Sequence, residues 1–178
     1  MLVADAMTWI IHSLSFLLFI LLCLSSSWEY PGDETRGGNG TIDKENLVLL
    51  CEELRKQFDD APEKFELSIA IPASVARFEV GFDFINLAPS IHFFNVMAYD
   101  LHGMWDDPRI VGAHSDIGGI GKAIDYIVTN SSVPASQVLL GLSAYGRSFT
   151  LSNHSCLSLG CPFKKNSNLT ALGKLFSF

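Results

Sequence analysis

A short aromatic cluster is the first feature of the sequence whose residue types could carry chemistry. It runs Trp28, Glu29, Tyr30, Pro31 and Gly32. A carboxyl group between two large aromatic side chains is partly desolvated, which raises its pKa and lets it stay protonated as a general acid. The same residues also fit a surface turn with a solvated glutamate. Glu29 is therefore a candidate acid whose role depends on its surroundings.

Two later segments place polar side chains directly after apolar runs. Met97 and Tyr99 are two residues apart, so they point to the same face of a strand, and Asp100 follows them. Tyr145 and Arg147 end the next apolar run in the same way. These residues could orient a polar ligand at the end of a sheet. They also fit core packing, a capping aspartate and a structural ion pair, and both interpretations stay open at this point.

The elements that position these residues follow from the spacing of apolar side chains. Residues 42–59 and 120–129 each carry apolar residues at helical spacing on one face. The inward positions are Leu47, Leu50, Leu54 and Phe58 in the first helix, and Ile120, Ile124, Ile127 and Val128 in the second.

Three apolar runs of strand length, at 66–74, 90–100 and 138–146, separate these helices and a region of helix or turn near 80–90. Continuous apolar runs are typical of parallel strands covered on both faces. The alternation of strands and helices predicts an α/β fold, either a barrel or an open sheet. In such folds the catalytic residues lie at the carboxyl ends of the strands.

Composition narrows the class of partner. The 178 residues are 48% hydrophobic, which suits one domain with a sizeable core. The formal charge of -7 disfavours nucleic acid as a partner, whereas a neutral sugar is indifferent to that charge. The cysteine spacing is not that of a zinc site, and we infer no cofactor and no metal.

The N-terminal segment is strongly apolar. Residues 14–24 are a nearly unbroken apolar run, followed by Ser25, Ser26 and Ser27, as in a signal peptide, although the expected positive charges before the run are missing. Extended back over residues 7–24, the run approaches the length of a membrane anchor. We predict a signal-like or anchor segment, or another hydrophobic helix, over 1–27 and a catalytic domain over 28–178. The expected location is extracellular, with membrane anchoring through residues 7–24 as the alternative.

Cysteines and glycosylation motifs agree with secretion. Cys156 and Cys161 flank a short loop and could pair locally, whereas Cys23 lies in the apolar run and Cys51 in a helical pattern. Four N-x-[ST] motifs are candidate glycosylation sites, and they begin at Asn39, Asn130, Asn153 and Asn168.

The order of the motifs resembles family-18 glycoside hydrolases, most closely their fungal chitinases. The resemblance is carried by WEYPG, IPAS, NVMAYDLHGMWD and GLSAYGRSF, followed by a Ser-Cys and a Gly-Cys-Pro-Phe stretch. It runs from about Trp28 to Lys165. The first motif and YDLHG are specific, whereas IPAS is weak.

The resemblance implies a fold, a substrate and a mechanism. The expected fold is a partial (β/α)8 barrel, and the expected substrate is chitin or a chito-oligosaccharide. The mechanism would be retaining hydrolysis in which the acetamide oxygen of the substrate attacks the anomeric carbon. Glu29 matches the general acid, Tyr99 the tyrosine that orients the acetamide, and Asp100 the neighbouring carboxylate. The remaining residues implied to line the groove are Trp28, Tyr30, Met97, Trp105, Tyr145 and Arg147.

The sequence departs from the family before the acid. The three aspartates that precede the acid in the family motif are replaced by Leu22, Ser25 and Ser27. A serine at position 27 carries no charge to stabilise the cationic intermediate, a loss of about 3–4 kcal/mol in the transition state. We also expect the signal-like run to have replaced the barrel strand that precedes Trp28.

Length gives a second departure, because a full barrel needs about 250 residues and roughly half is present. Open sheet edges predict marginal stability or self-association. Three hypotheses follow: a chitinase-type hydrolase of doubtful activity, a lectin-like module that binds chito-oligosaccharide without cleaving it, and an inactive truncated gene product.

Overall fold

The structure is a computed structural model that describes residues 23–26, 28–164 and 174–177. Its strands and helices alternate along the chain, as the sequence predicts. The strands are β1 (Cys23–Ser26), β2 (Glu66–Pro72), β3 (Phe93–Met97), β4 (Val138–Gly141), β5 (Arg147–Thr150) and β6 (Lys174–Ser177). The α-helices are α1 (Asp43–Asp59), α2 (Val75–Gly81), α3 (Phe84–Leu87) and α4 (Ile117–Asp125).

The first four strands form one parallel sheet in the order β1-β2-β3-β4. Both faces of the sheet are covered at β2, since this strand is buried at almost every position after its first residue. This burial is the reason for the continuous apolar runs in the sequence. The predicted parallel α/β architecture is confirmed.

The strand β1 lies inside the segment predicted to be signal-like. Its four residues pair in parallel with β2, from Cys23 beside Glu66 to Ser26 beside Ile69. The strand before Trp28 is therefore present, which corrects the expectation that it had been replaced. Backbone hydrogen bonds form the ladder whatever the side chains are, so loss of the aspartates does not remove the strand. The hydrophobic helix predicted within residues 1–22, and Ser27, lie outside the described residues.

The core lies between this sheet and the helices. From α1 it receives Leu47 and Cys51, which are 2% and 1% exposed. Leu54 and Phe58 pack against its edge, whereas Cys51 takes the buried place predicted for Leu50. The rings of Phe78 and Phe84 meet edge to face with centroids 4.9 Å apart, and this aromatic packing holds α2 and α3 together in the core.

The second predicted helix begins earlier than the apolar pattern indicates. Asp116 caps α4 by accepting hydrogen bonds from the amides of Gly118 and Gly119, so the helix starts at Ile117. A π-helical turn over Tyr126–Asn130 continues it and buries Ile127. Within the described part of the chain, no helix is both long enough and apolar enough to cross a membrane.

A smaller unit follows the parallel sheet. The strands β5 and β6 pair antiparallel, and Phe149 packs against Phe163 at 4.9 Å. Cys156 and Cys161 are joined by a disulfide beside this second core. The unit fixes the start of β5, which carries Arg147.

Candidate active site

The candidate residues lie where three parallel strands end. Trp28 and Glu29 follow β1, Tyr99 and Asp100 follow β3, and Tyr145 follows β4. Because parallel strands present their carboxyl ends at one edge of a sheet, these residues share that edge. Met97 is the last residue of β3 and is partly buried.

Asp100 is the most heavily bonded of these residues. Its Oδ1 accepts a hydrogen bond from Nε of Arg147 at 2.7 Å and lies 2.5 Å from Nη2. Partial desolvation acts to raise the pKa of Asp100, but hydrogen bonds from Arg147 and Tyr145 and the charge of Arg147 outweigh it. The pKa of Asp100 therefore lies below its usual value, which keeps this carboxylate ionised.

The two tyrosines at this edge pack on each other. The rings of Tyr99 and Tyr145 meet edge to face with centroids 6.2 Å apart. Partial burial raises the pKa of Tyr145, and so does its hydrogen bond to Asp100. The phenol of Tyr145 can therefore act as a hydrogen-bond donor at neutral pH.

Trp105 lies beside the same cation. The guanidinium of Arg147 lies over its ring at 4.7 Å from the centroid. The indole also packs on Gly103, where an added Cβ would come within 2.4 Å of the ring. Trp105 remains 58% exposed, so ring surface is available for a sugar to stack on.

His114 is a residue of this cluster that sequence reasoning missed. Its side chain is fully buried, and its ring lies 5.2 Å from that of Tyr145. Nδ1 accepts a hydrogen bond from the amide of Asp100 at 3.3 Å, and Nε2 lies 3.4 Å from Oγ of Ser143. The signal in the sequence was weak, because a lone histidine in a glycine-rich loop has no characteristic spacing.

The candidate acid stands in a different environment. The side chain of Glu29 is 42% exposed, and its Oε2 lies 3.8 Å from Nη1 of Arg36 on the same loop. Trp28 is itself 36% exposed, whereas the Tyr30 side chain makes a hydrogen bond with Glu29. Arg36, Tyr30 and solvent therefore share the surroundings of this carboxylate.

Tyr30 faces two cations. The guanidinium groups of Arg77 and Arg36 lie 4.8 and 5.4 Å from its ring centroid. Partial burial raises the pKa of Tyr30, and the neighbouring Glu29 carboxylate adds to this. Asp33 joins the group through ion pairs with both arginines, and the hydrogen bond from Thr35 holds the pKa of Asp33 below its usual value.

Asp43 fixes the loop that carries Glu29. It is a buried carboxylate at the start of α1, where it accepts hydrogen bonds from the amides of Gly32 at 2.9 Å and Asn39 at 2.6 Å. Sequence reasoning missed this residue as well. The available signal was an aspartate in the first turn of an amphipathic helix, which usually serves that helix alone.

The other candidate residues lie on the surface. Asn39, Asn130 and Asn153 are exposed, and Asn168 lies outside the described residues. Within the described ranges, no group of three or more His, Cys, Asp or Glu side chains could hold a metal ion.

Comparisons with known proteins fit this arrangement. The sequence profile of glycosyl hydrolases family 18 matches residues 23–172. Chitotriosidase-1 of Mus musculus is 33% identical over 155 residues, which covers 78% of this chain and 32% of that protein. The chain thus spans about a third of the length of this curated relative.

Two solved structures share the fold. The Ostrinia furnacalis Group II chitinase catalytic domain 2 has a TM-score of 0.74 at 25% identity, over 86% of this chain and 42% of that chain. YKL-39, solved in the presence of chitooligosaccharides, has a TM-score of 0.70 at 26% identity, over 87% and 44%. The chain belongs to glycosyl hydrolases family 18, and its sheet is part of that family's (β/α)8 barrel.

Proposed function

We propose that this chain carries part of a chitinase-type active site, which acts on β-1,4-linked N-acetylglucosamine chains. The observation that carries the proposal is the bonded cluster of Asp100, Arg147 and Tyr145 beside Tyr99 at the strand ends. An ionised carboxylate with two tyrosine hydroxyls suits the acetamide and hydroxyl groups of such a sugar. The exposed indole of Trp105 supplies a flat apolar surface for a pyranose ring.

In the proposed reaction Glu29 protonates the glycosidic oxygen as the bond to the anomeric carbon breaks. The acetamide oxygen of the substrate attacks that carbon, and Tyr99 orients the acetamide by a hydrogen bond. Water then opens the cyclic intermediate with retention of configuration. Asp100, held ionised by Arg147, contributes negative charge near the developing cation.

The experiment is release of reducing ends from a soluble chito-oligosaccharide by the unchanged chain, Glu29→Gln and Ser27→Asp. We expect Glu29→Gln to lower the rate by about 10²–10⁴-fold, because a general acid contributes that much. Ser27→Asp should raise the rate by restoring a charge. Activity that persists in Glu29→Gln would contradict the assignment of the acid.

A second function is favoured by the environment of Glu29. An exposed carboxylate paired with Arg36, next to an uncharged residue 27, suits binding better than acid catalysis. YKL-39, which has the same fold, was solved in the presence of chitooligosaccharides, and this supports the binding proposal. A lectin-like module would bind the chito-oligosaccharide but release no reducing ends in any of the three variants. An inactive truncated product would neither bind the sugar nor release reducing ends.

We also propose that the chain is extracellular and glycosylated. Asn39, Asn130 and Asn153 are all exposed, so an attached glycan would clash with no core side chain. The apolar run at 14–24 would act as the signal or anchor. A mass decrease after treatment with an N-glycosidase would support the proposal, and an unglycosylated chain from a secreting host would contradict it. Whether the protein is of the fungal type stays a prediction.

Self-association is the remaining proposal on partners. Leu139 and Leu140 of β4 and Leu142 after it are 45%, 50% and 81% exposed at the end of the parallel sheet. An apolar strand at a sheet edge favours pairing with another chain. Light scattering on the purified chain should give a mass above that of a monomer.

A further inference from the structure

Asp100 holds its carboxylate in place from a backbone conformation that L-residues seldom adopt. Its φ is +59°, in the left-handed region. Such a conformation is unfavourable for a residue with a Cβ unless neighbouring contacts hold it. The turn sets the direction in which the side chain leaves the end of β3 and meets Arg147. Something near this turn must therefore stabilise it.

His114 makes two hydrogen bonds to this turn. Its ring Nδ1 accepts from the amide of Asp100 at 3.3 Å, and its backbone carbonyl accepts from the amide of Leu101 at 2.9 Å. Two consecutive amides of the turn are thus bound by one residue, which lies in a distant part of the loop. The bond to the Asp100 amide needs the His114 side chain, whereas the bond to the Leu101 amide needs only the backbone.

The second ring nitrogen of His114 also has a hydrogen-bond partner. Because Nδ1 accepts a hydrogen bond, the neutral ring carries its proton on Nε2, which lies 3.4 Å from Oγ of Ser143. The ring is fully buried and packs against Tyr145. His114 therefore ties the turn after β3 to the segment after β4. Its Nδ1 is also 3.6 Å from Oδ1 of Asp100, so the ring limits the rotation of that carboxylate.

We propose that His114 is a positioning residue, which fixes the left-handed turn at Asp100 and thereby aims the Asp100 carboxylate at the sugar site. The inference rests on the proposed function for the identity of the ligand. The part that concerns the turn stands on geometry alone. His114 touches neither the substrate nor the reacting atoms in this role.

The test compares two amide side chains that differ in reach. In His114→Asn, Oδ1 takes the place of Nδ1 and can accept from the Asp100 amide. In His114→Gln the amide group lies one bond further out, near the place of Nε2, and the Asp100 amide loses its acceptor. Both variants keep the backbone carbonyl that binds the Leu101 amide, which serves as an internal control.

Amide hydrogen exchange is measured by NMR on the full chain, residue by residue. We expect His114→Gln to speed exchange of the Asp100 amide by about tenfold, the equivalent of one lost hydrogen bond, and to leave Leu101 unchanged. His114→Asn should stay within about threefold of the unchanged chain at both amides, because it keeps the bond. Equal acceleration at both amides in His114→Gln would mean general loosening and would overturn the proposal. So would an Asn variant that behaves like the Gln variant.

Binding of penta-N-acetylchitopentaose gives the second readout, by titration calorimetry on the same proteins. We expect roughly tenfold weaker binding in His114→Gln and recovery in His114→Asn. Unweakened binding in His114→Gln would overturn the link between turn and ligand. If the unchanged chain does not bind the sugar, the proposed function fails, while the exchange data still decide whether His114 fixes the turn.

Discussion

Two halves of the candidate site are built in opposite ways. The half that is proposed to face the sugar (the sugar-facing half), around Asp100 and Arg147, is held by hydrogen bonds between segments that are far apart in the sequence. The acid half, around Glu29, makes its ion pair with Arg36, seven residues along the same loop, and is largely exposed. The first half depends on the fold of the sheet, and the second on a local loop.

The difference separates binding from catalysis. A carboxylate held by a guanidinium and a phenol, in a turn whose amide is bound by a buried histidine, is preorganised, so little ordering is required when a ligand arrives. Glu29 is partly exposed, and its contacts with Arg36 and Tyr30 lie within one loop. Under the proposed function, the residues assigned to recognition are therefore held more firmly than the residue assigned to acid catalysis.

The largest expected contrast is in ligand affinity. Asp100→Ala should weaken binding of a chito-oligosaccharide about 10- to 100-fold, because it leaves the Arg147 cation without its partner. Glu29→Ala should change affinity by less than about threefold, since Glu29 is exposed. Titration calorimetry on both variants measures this contrast. Equal losses would show that the two halves do not differ in binding.

A second contrast concerns stability of the acid loop. Asp43→Ala should lower the free energy of unfolding by about 1.5–3 kcal/mol, because the Gly32 and Asn39 amides lose a charged acceptor. Glu45→Ala, in the exposed first turn of the same helix, is the matched control and should stay within about 0.5 kcal/mol. Urea denaturation of both variants provides the measurement, and similar losses would argue against Asp43 as the anchor.

A third prediction concerns pH and the sugar-facing half. The pKa of Asp100 is lowered by folding, so its contribution to stability is present above the unfolded pKa of about 3.9. That contribution is lost as the pH falls below this value and through the lower folded pKa. The gap in unfolding free energy between the unchanged chain and Asp100→Asn should therefore shrink below about pH 4. A gap that stays constant down to acid unfolding would count against the ion pair.

The smallest effect is expected at the exposed ion pair. Arg36→Ala should cost less than about 1 kcal/mol of unfolding free energy, because Arg36 and Glu29 are both exposed and solvent screens them. Arg77→Ala should cost more, since it removes the cation that is hydrogen-bonded to the buried Asp33 carboxylate. Thermal unfolding of the two variants ranks them, and the reverse order would place the main support of the loop at Arg36.

Much of the fold could be predicted because burial leaves a direct mark on the sequence. The runs that became β2 and β3 are continuous and apolar since both faces of these strands are covered. The predicted run at 138–146 shortened to the strand Val138–Gly141, and the next strand, β5, begins at Arg147. Boundaries of this kind depend on where the chain meets other elements, and periodicity does not record that.

The residues of the site divide in the same way. The sequence by itself determined that Tyr99 and Asp100 follow β3 and that Tyr145 follows β4, because strand ends are marked where apolar runs stop. Arg147, which was predicted to end the same run as Tyr145, instead begins β5. The tertiary structure alone decided that Glu29 is exposed and that His114 and Asp43 hold the turn and the loop. These contacts join segments 11 to 14 residues apart through single hydrogen bonds. Such bonds depend on how the chain packs, and they impose no repeating pattern on the sequence.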